Sequence, residues 1–241
     1  MSPAELYRRM LAGEDVKTSQ VSIGEYADFF RKIFDEGKDI LHLTLSSGIS
    51  GSYNSACIAA EQVREEYPNR KIYVVDSLAA SSGYGLLVDT LADRRDAGES
   101  IDELYAWVCE NKKKLQHWFF TSDLTFFIRG GRVSKASAIV GTMIQIKPII
   151  HMDDHGELKV IGKERGRKKA MNKIVDMAVE ACEGKMPDMV MIPHGNCPED
   201  AAYVIKNVPE IDGFFGASSI ERLASERGMT AQAAAFKAIE K

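Results

Sequence analysis

No run of apolar residues in this 241-residue sequence approaches the roughly 20 needed to span a bilayer, so no membrane-crossing segment is expected. An excess of basic charge is missing as well. The net charge is −4, which excludes a surface-wide electrostatic footprint for nucleic acid or anionic membrane. The opening Met1-Ser2-Pro3-Ala4-Glu5 has neither the basic start nor the apolar stretch of a secretory signal. Cysteine is scarce: Cys57, Cys109, Cys182 and Cys197 stand far apart without a C-x-x-C pair, which argues for reduced thiols rather than metal or redox use. These absences predict a cytoplasmic protein.

Familiar catalytic signatures are absent too. No Gly-Lys pair is followed by Ser or Thr, and no G-x-G-x-x-G occurs, so neither phosphate loop nor dinucleotide fingerprint is present. Gly48-Ile49-Ser50-Gly51-Ser52 approaches a hydrolase nucleophile elbow but carries Ser where the last Gly belongs. The five histidines are scattered, and the one close pair, Asp153 and His155, reads as turn chemistry rather than a metal site.

What is present is an alternation of helical and strand patterns, hence an α/β protein. Capping boxes at Ser2/Glu5, Ser22/Glu25 and Ser100/Glu103 each start a helix. Behind the second, Tyr26, Phe29, Phe30, Ile33 and Phe34 follow helical spacing, and Gly37 closes the helix. Strands are expected at 40–45, 71–75, 118–121 and 189–192, with a short one at 211–215. A hairpin is expected with arms at 149–151 and 158–161 around Asp153-Asp154-His155-Gly156. Helices are expected over 81–97 and 101–115, in the basic stretch, from Pro198 and at the end of the chain. The texture changes after residue 115. Two packed α/β domains follow as the expectation, 1–115 with a mostly parallel sheet and 116–241 with a mixed sheet.

The strongest chemical signal is the hydroxyl-rich turn from Ser46 to Ser52, between a strand and a helix. The carboxyl end of a strand feeding a helix N-terminus is where ligands collect in open α/β sheets. Unpaired N–H groups and a partial positive charge there suit a carboxylate or phosphate. Gly48 and Gly51 let the backbone approach, and Ser46, Ser47, Ser50 and Ser52 offer neutral donors. A cap plus a tight turn would need one such serine; four within seven positions favour an anion site. His194-Gly195, after the strand expected at 189–192, is a second candidate, balanced against a turn histidine bonded to backbone. Lys163, Arg165, Arg167, Lys168, Lys169 and Lys173 crowd a helix start against its dipole, which leaves room for an acidic partner.

These segments, taken in order, resemble the DegV family. The likeness is carried by Val16-Lys17-Thr18-Ser19-Gln20, by 45–54 around the serine turn, and by Val74-Val75-Asp76-Ser77. Gly130-Gly131-Arg132-Val133-Ser134, Lys147-Pro148-Ile149-Ile150 and His194-Gly195 extend it, to about residue 208. The resemblance implies a two-domain α/β fold whose first domain is shared with dihydroxyacetone kinase. It also implies a long-chain fatty acid as bound ligand, no cofactor, and presentation of that acid to a separate fatty acid kinase. Its carboxylate ligands map onto Thr18 and Ser50, with Ser46, Ser47 and Gly51 shaping the site and His194 as a further member. The kinase would meet Arg165, Arg167, Lys168 and Lys169. The chain would be a binding subunit and not an enzyme. The alternatives are a serine-dependent hydrolase or phosphotransferase related to the dihydroxyacetone kinase fold, or a remnant without ligand. Against the family pattern, an opening strand and a closing Gly- and His-rich loop are missing, and 213–223 resembles instead the end of a TIM-barrel family. Truncation at both ends is therefore expected.

Overall fold

The computed structural model describes residues 3–134, 145–182 and 189–192. The chain divides into two compact units, one formed by Ser19–Arg165 and the other by Met1–Thr18 with Gly166–Lys241.

Within Ser19–Arg165 the first element is helix α2 (Ile23–Asp35), which follows α1 (Pro3–Leu11) of the other unit. The expected box is formed: the Ser22 hydroxyl accepts the Glu25 N–H at 3.2 Å, and the Glu25 carboxylate accepts the Ser22 N–H at 2.9 Å. Glu36 is the C-cap, and Gly37 takes the left-handed φ of +77° that ends the turn at no Cβ cost. Strand β1 (Ile40–Thr44) pairs in parallel with β2 (Ile72–Asp76), in register from Ile40↔Ile72 to Thr44↔Asp76. Parallel pairing needs a crossover, and helix α3 (Ser52–Glu66) supplies it.

One core lies under α2 and α3. Tyr26, Ala27, Phe30 and Phe34 meet Ala56, Ala59, Ala60 and Val63, with Ile40 and Ile72 from the strands. The small alanines let the aromatic face of α2 seat deeply, and each fully buried ring such as Phe30 contributes roughly 1.5–3 kcal/mol. Phe29 shares the spacing but stays half exposed, since the alanine face takes only one stripe of α2. A second core joins Leu43 and Val75 to helices α4 (Ser81–Asp96) and α5 (Ile101–Asn111) through Leu87, Leu91, Leu104 and Val108. The box at Ser100 and Glu103 opens α5, and a 3-10 turn, Lys112–Lys114, closes it.

A second sheet follows in the order β3 (Trp118–Phe120), β4 (Ile146–Met152), β5 (Leu158–Arg165), with the short helix α6 (Thr125–Arg129) after β3. All its described pairings are antiparallel, where a mixed sheet was expected. A bulge passes from Ile149↔Gly162 to Ile150↔Val160 and turns Ile161 outward. The hairpin tip is set by Asp153, whose Oδ1 accepts the N–H groups of His155 (3.0 Å) and Glu157 (2.9 Å). Gly156 at φ +71° completes it. The division expected near residue 115 separates the two sheets inside this unit; as a boundary between domains it stays a proposal.

In the other unit, α1 carries an Arg8–Glu5 pair, and helix α7 (Arg167–Ala181) starts from Gly166 at φ +89°. The basic stretch is therefore not all helix: Lys163 and Arg165 belong to β5, and Arg167, Lys168, Lys169 and Lys173 to α7. Residues 189–192, expected as a strand, pair with no strand among the described residues. A strand exists by its partner, which hydrophobicity alone does not name. The helix from Pro198, the strand at 211–215 and the terminal helices lie outside the described residues. Among those described, no helix is long and apolar enough to cross a membrane.

Candidate functional site

The serine turn leaves the carboxyl end of β1 and enters α3, as its composition led one to expect. It is pinned at its start. The Ser46 N–H donates to the Ala79 carbonyl (3.0 Å), and the Ser46 carbonyl accepts the N–H groups of Ile49 and Ser50 (both 3.1 Å). The Ser47 N–H and Leu78 N–H both donate to Asp76 Oδ1 at 3.1 Å, so the loop after β2 grips the turn after β1. Leu78 holds a left-handed φ of +52° in that loop, an uncommon state for a branched residue and a sign that its surroundings dictate it.

The four serines divide into two kinds. Ser46 and Ser52 are buried, whereas Ser47 is exposed and Ser50 half-buried. The Ser46 hydroxyl donates to the Gly156 carbonyl at 2.7 Å and accepts the Gly48 N–H at 3.1 Å, so both its functions are spent inside the protein. Ser50 Oγ accepts the Ser52 N–H at 3.2 Å and donates to Ser52 Oγ at 3.0 Å. Four free donors were expected; two of them are structural, because a tight turn consumes hydroxyls to satisfy its own backbone. The Ser50 hydroxyl, half-buried and two residues before the first residue of α3, bonds only locally to Ser52 among the described residues. In that first turn the N–H groups of Tyr53 and Asn54 have no intrahelical acceptor.

Three further groups border the turn. Gln20 Nε2 donates to Ser55 Oγ at 3.1 Å, which lays its carboxamide over Gly51. Arg132 Nε donates to the Ile49 carbonyl at 3.1 Å and its other arm to Gly130, bringing a cation beside the turn. Asp76 is the third. None was singled out from residue type alone, though all three lie in the short segments that carried the family likeness. Thr18 is exposed and belongs to the unit that contains Met1–Thr18. His194 lies outside the described residues.

The titratable groups nearby are tuned by burial. His42, on β1, is edge-on to Tyr26 and Phe30, its Nε2 without a hydrogen-bond partner, and burial lowers it to about 4. His117 is lowered to about 4 by burial and by the neighbouring His151. Tyr53 is raised to about 12, chiefly by its hydrogen bond with Cys57 and then by burial. Burial works to raise Asp153, yet the amides of Glu157 and His155 together with Lys159 hold it below the usual carboxylate range. No His, Cys, Asp or Glu group among the described residues is arranged to hold a metal ion. Among the described residues the Ser50 hydroxyl meets Ser52, which is no general base.

The family profile described as "uncharacterised protein, DegV family" matches residues 1–221. A DegV domain-containing protein of Clostridium perfringens is 37% identical over 210 residues, 87% of this chain and 72% of that relative. Among solved structures, a stearic acid-binding protein from Eubacterium ventriosum is 29% identical and superposes with a TM-score of 0.75, covering 86% of this chain and 72% of its own. The Fatty Acid Kinase (Fak) B3 protein of Streptococcus pneumoniae, loaded with linoleic acid, is 26% identical with a TM-score of 0.76, covering 93% and 80%.

Proposed function

The chain belongs to the DegV family, and from that premise we propose that it binds a long-chain fatty acid, holding the carboxylate with the hydroxyls of Thr18 and Ser50. The observation that carries this reading is the half-buried Ser50 hydroxyl at the N-terminal turn of α3, flanked by Gly51 and by the Arg132 guanidinium. Rotating away from Ser52, Ser50 offers its proton to an oxyanion that the helix dipole already favours. Thr18 is two residues along the chain from Gln20, whose carboxamide is seated at Gly51. Neutral hydroxyls and amides hold a carboxylate without burying a countercharge, whose desolvation would cost several kcal/mol. The acyl tail would add roughly 0.8 kcal/mol per buried methylene.

On this reading Ser46, Ser47 and Gly51 shape the turn, and His194 is a further ligand. The protein needs no cofactor, is cytoplasmic, and acts as a carrier and not a catalyst. A separate fatty acid kinase would act on the bound acid, docking on Arg165, Arg167, Lys168 and Lys169. The similarity to a protein named for a fatty acid kinase supports that pairing.

The test is a titration with oleate of the purified chain and of Thr18→Val and Ser50→Ala. Each variant should weaken binding by about 1–3 kcal/mol, the value of a hydrogen bond to a charged group. Unchanged affinity in both folded variants would sink the assignment.

A further inference from the structure

We infer that Gly156, at the tip of the β4–β5 hairpin, is a positioning residue for the carboxylate site and acts through the Ser46 hydroxyl. The inference rests on the fatty-acid reading above and extends it to a hairpin that contributes no ligand of its own. Ser46 and Gly156 are 110 positions apart, yet the fully buried Ser46 Oγ donates to the Gly156 carbonyl at 2.7 Å. The same oxygen accepts the Gly48 N–H at 3.1 Å. One hydroxyl therefore joins the hairpin tip to the backbone of the anion turn.

The fit leaves no slack. A Cβ at position 156 would stand 1.9 Å from Ser46 Oγ, 3.0 Å from Ser46 Cβ and 3.2 Å from Leu78 Cα. A Cβ at position 48 would stand 2.5 Å from the Gly156 oxygen and 2.7 Å from its carbonyl carbon. Two glycines thus face one another so that main chain meets main chain, and the φ of +71° at Gly156 is itself a conformation that favours glycine. Ser46 is held on its other side by the Ala79 carbonyl. Since the Ser46 carbonyl receives the N–H groups of Ile49 and Ser50, a shift of Ser46 carries the Ser50 backbone with it. Close-packed interiors transmit such a shift rather than absorb it. Among the described residues the hydrogen bond that joins Gly156 to the turn is made with Ser46 and not with Ser50, so its effect on binding is indirect.

The experiment compares the wild-type chain with Gly156→Ala, Ser46→Ala and the double variant. Oleate affinity is measured by displacement of a fluorescent fatty acid, and amide hydrogen exchange at Gly48 is followed in ligand-free protein. Gly156→Ala should weaken oleate about tenfold or more, and Ser46→Ala about threefold to tenfold. The double variant should bind more tightly than Gly156→Ala alone, because the oxygen that the new methyl overlaps has gone. Exchange of the Gly48 N–H should quicken about tenfold in Ser46→Ala, which only deletes an atom, while amides in the α2–α3 core keep their protection. Losses that multiply in the double variant would identify two independent lesions and overturn the proposal. So would unchanged oleate affinity in folded Gly156→Ala, or unchanged exchange at Gly48. Failure of the wild type to bind oleate would overturn the fatty-acid reading instead, and the exchange comparison, which needs no ligand, separates the two failures.

Discussion

The carboxamide of Gln20 bonds Ser55 across 35 positions of sequence, and its oxygen occupies the space that a side chain on Gly51 would need, 1.9 Å from where a Cβ would stand. A loop that reads as solvated by composition is thereby tied to the first turn of α3. Gln20→Ala should cut this tie and weaken oleate binding by about 1 kcal/mol. Gly51→Ala should do much the same, since the flexible carboxamide must leave before the methyl can enter. In the double variant the losses should not add, because both remove one docking. Additive losses in an oleate titration would show that Gln20 and Gly51 act separately.

Acid should destabilise the fold through two half-buried histidines whose Nε2 atoms are shut off from solvent. His42 and His117 each titrate at about 4 in the folded protein against an ordinary 6.5, burial being the main cause. The unfolded chain therefore binds more protons than the folded one between these values. Stability is complete above about pH 6.5, is lost as pH falls toward 4, and levels off below. The full loss is on the order of 3 kcal/mol per histidine. Denaturant titrations of the wild type and His42→Phe at pH 7 and pH 4.5 check this; the variant, which keeps an aromatic ring beside Tyr26 and Phe30, should lose less stability on acidification. Equal losses in the two proteins would remove His42 from the account.

The cationic stretch should matter to a protein partner and not to the lipid. Arg165 and Lys169 are both exposed, the first at the end of β5 and the second near the start of α7. Reversing both, Arg165→Glu with Lys169→Glu, should slow phosphorylation of bound oleate by a cognate fatty acid kinase about tenfold at low salt, with the effect shrinking as ionic strength rises. Oleate affinity should hold. Weaker oleate binding with an unaltered phosphorylation rate would reverse this division of labour.

Local interactions were legible in the sequence because their partners are neighbours. The boxes at Ser22 and Ser100 close over three residues, the aromatic spacing on α2 marks the face that meets the alanines of α3, and Asp153 organises its own turn. The strand-to-helix placement of the serine-rich turn was legible as well, because a buried strand and a helix flank it in sequence. Tertiary structure decided how those hydroxyls are used. Ser46 and Ser50 are the same residue type in the same turn, yet Ser46 is locked by a carbonyl 110 residues away while Ser50 stays at the mouth of α3. Arg132 reaches the turn from 83 residues away and Gln20 reaches Ser55 from 35. Whether a hydroxyl is a ligand or a strut depends on which acceptor folding brings to it, and a long-range acceptor leaves no trace in local spacing. The chain's own chemistry set which groups could hold an anion; the packing of the hairpin and loops against the turn selected which of them remain free to do so.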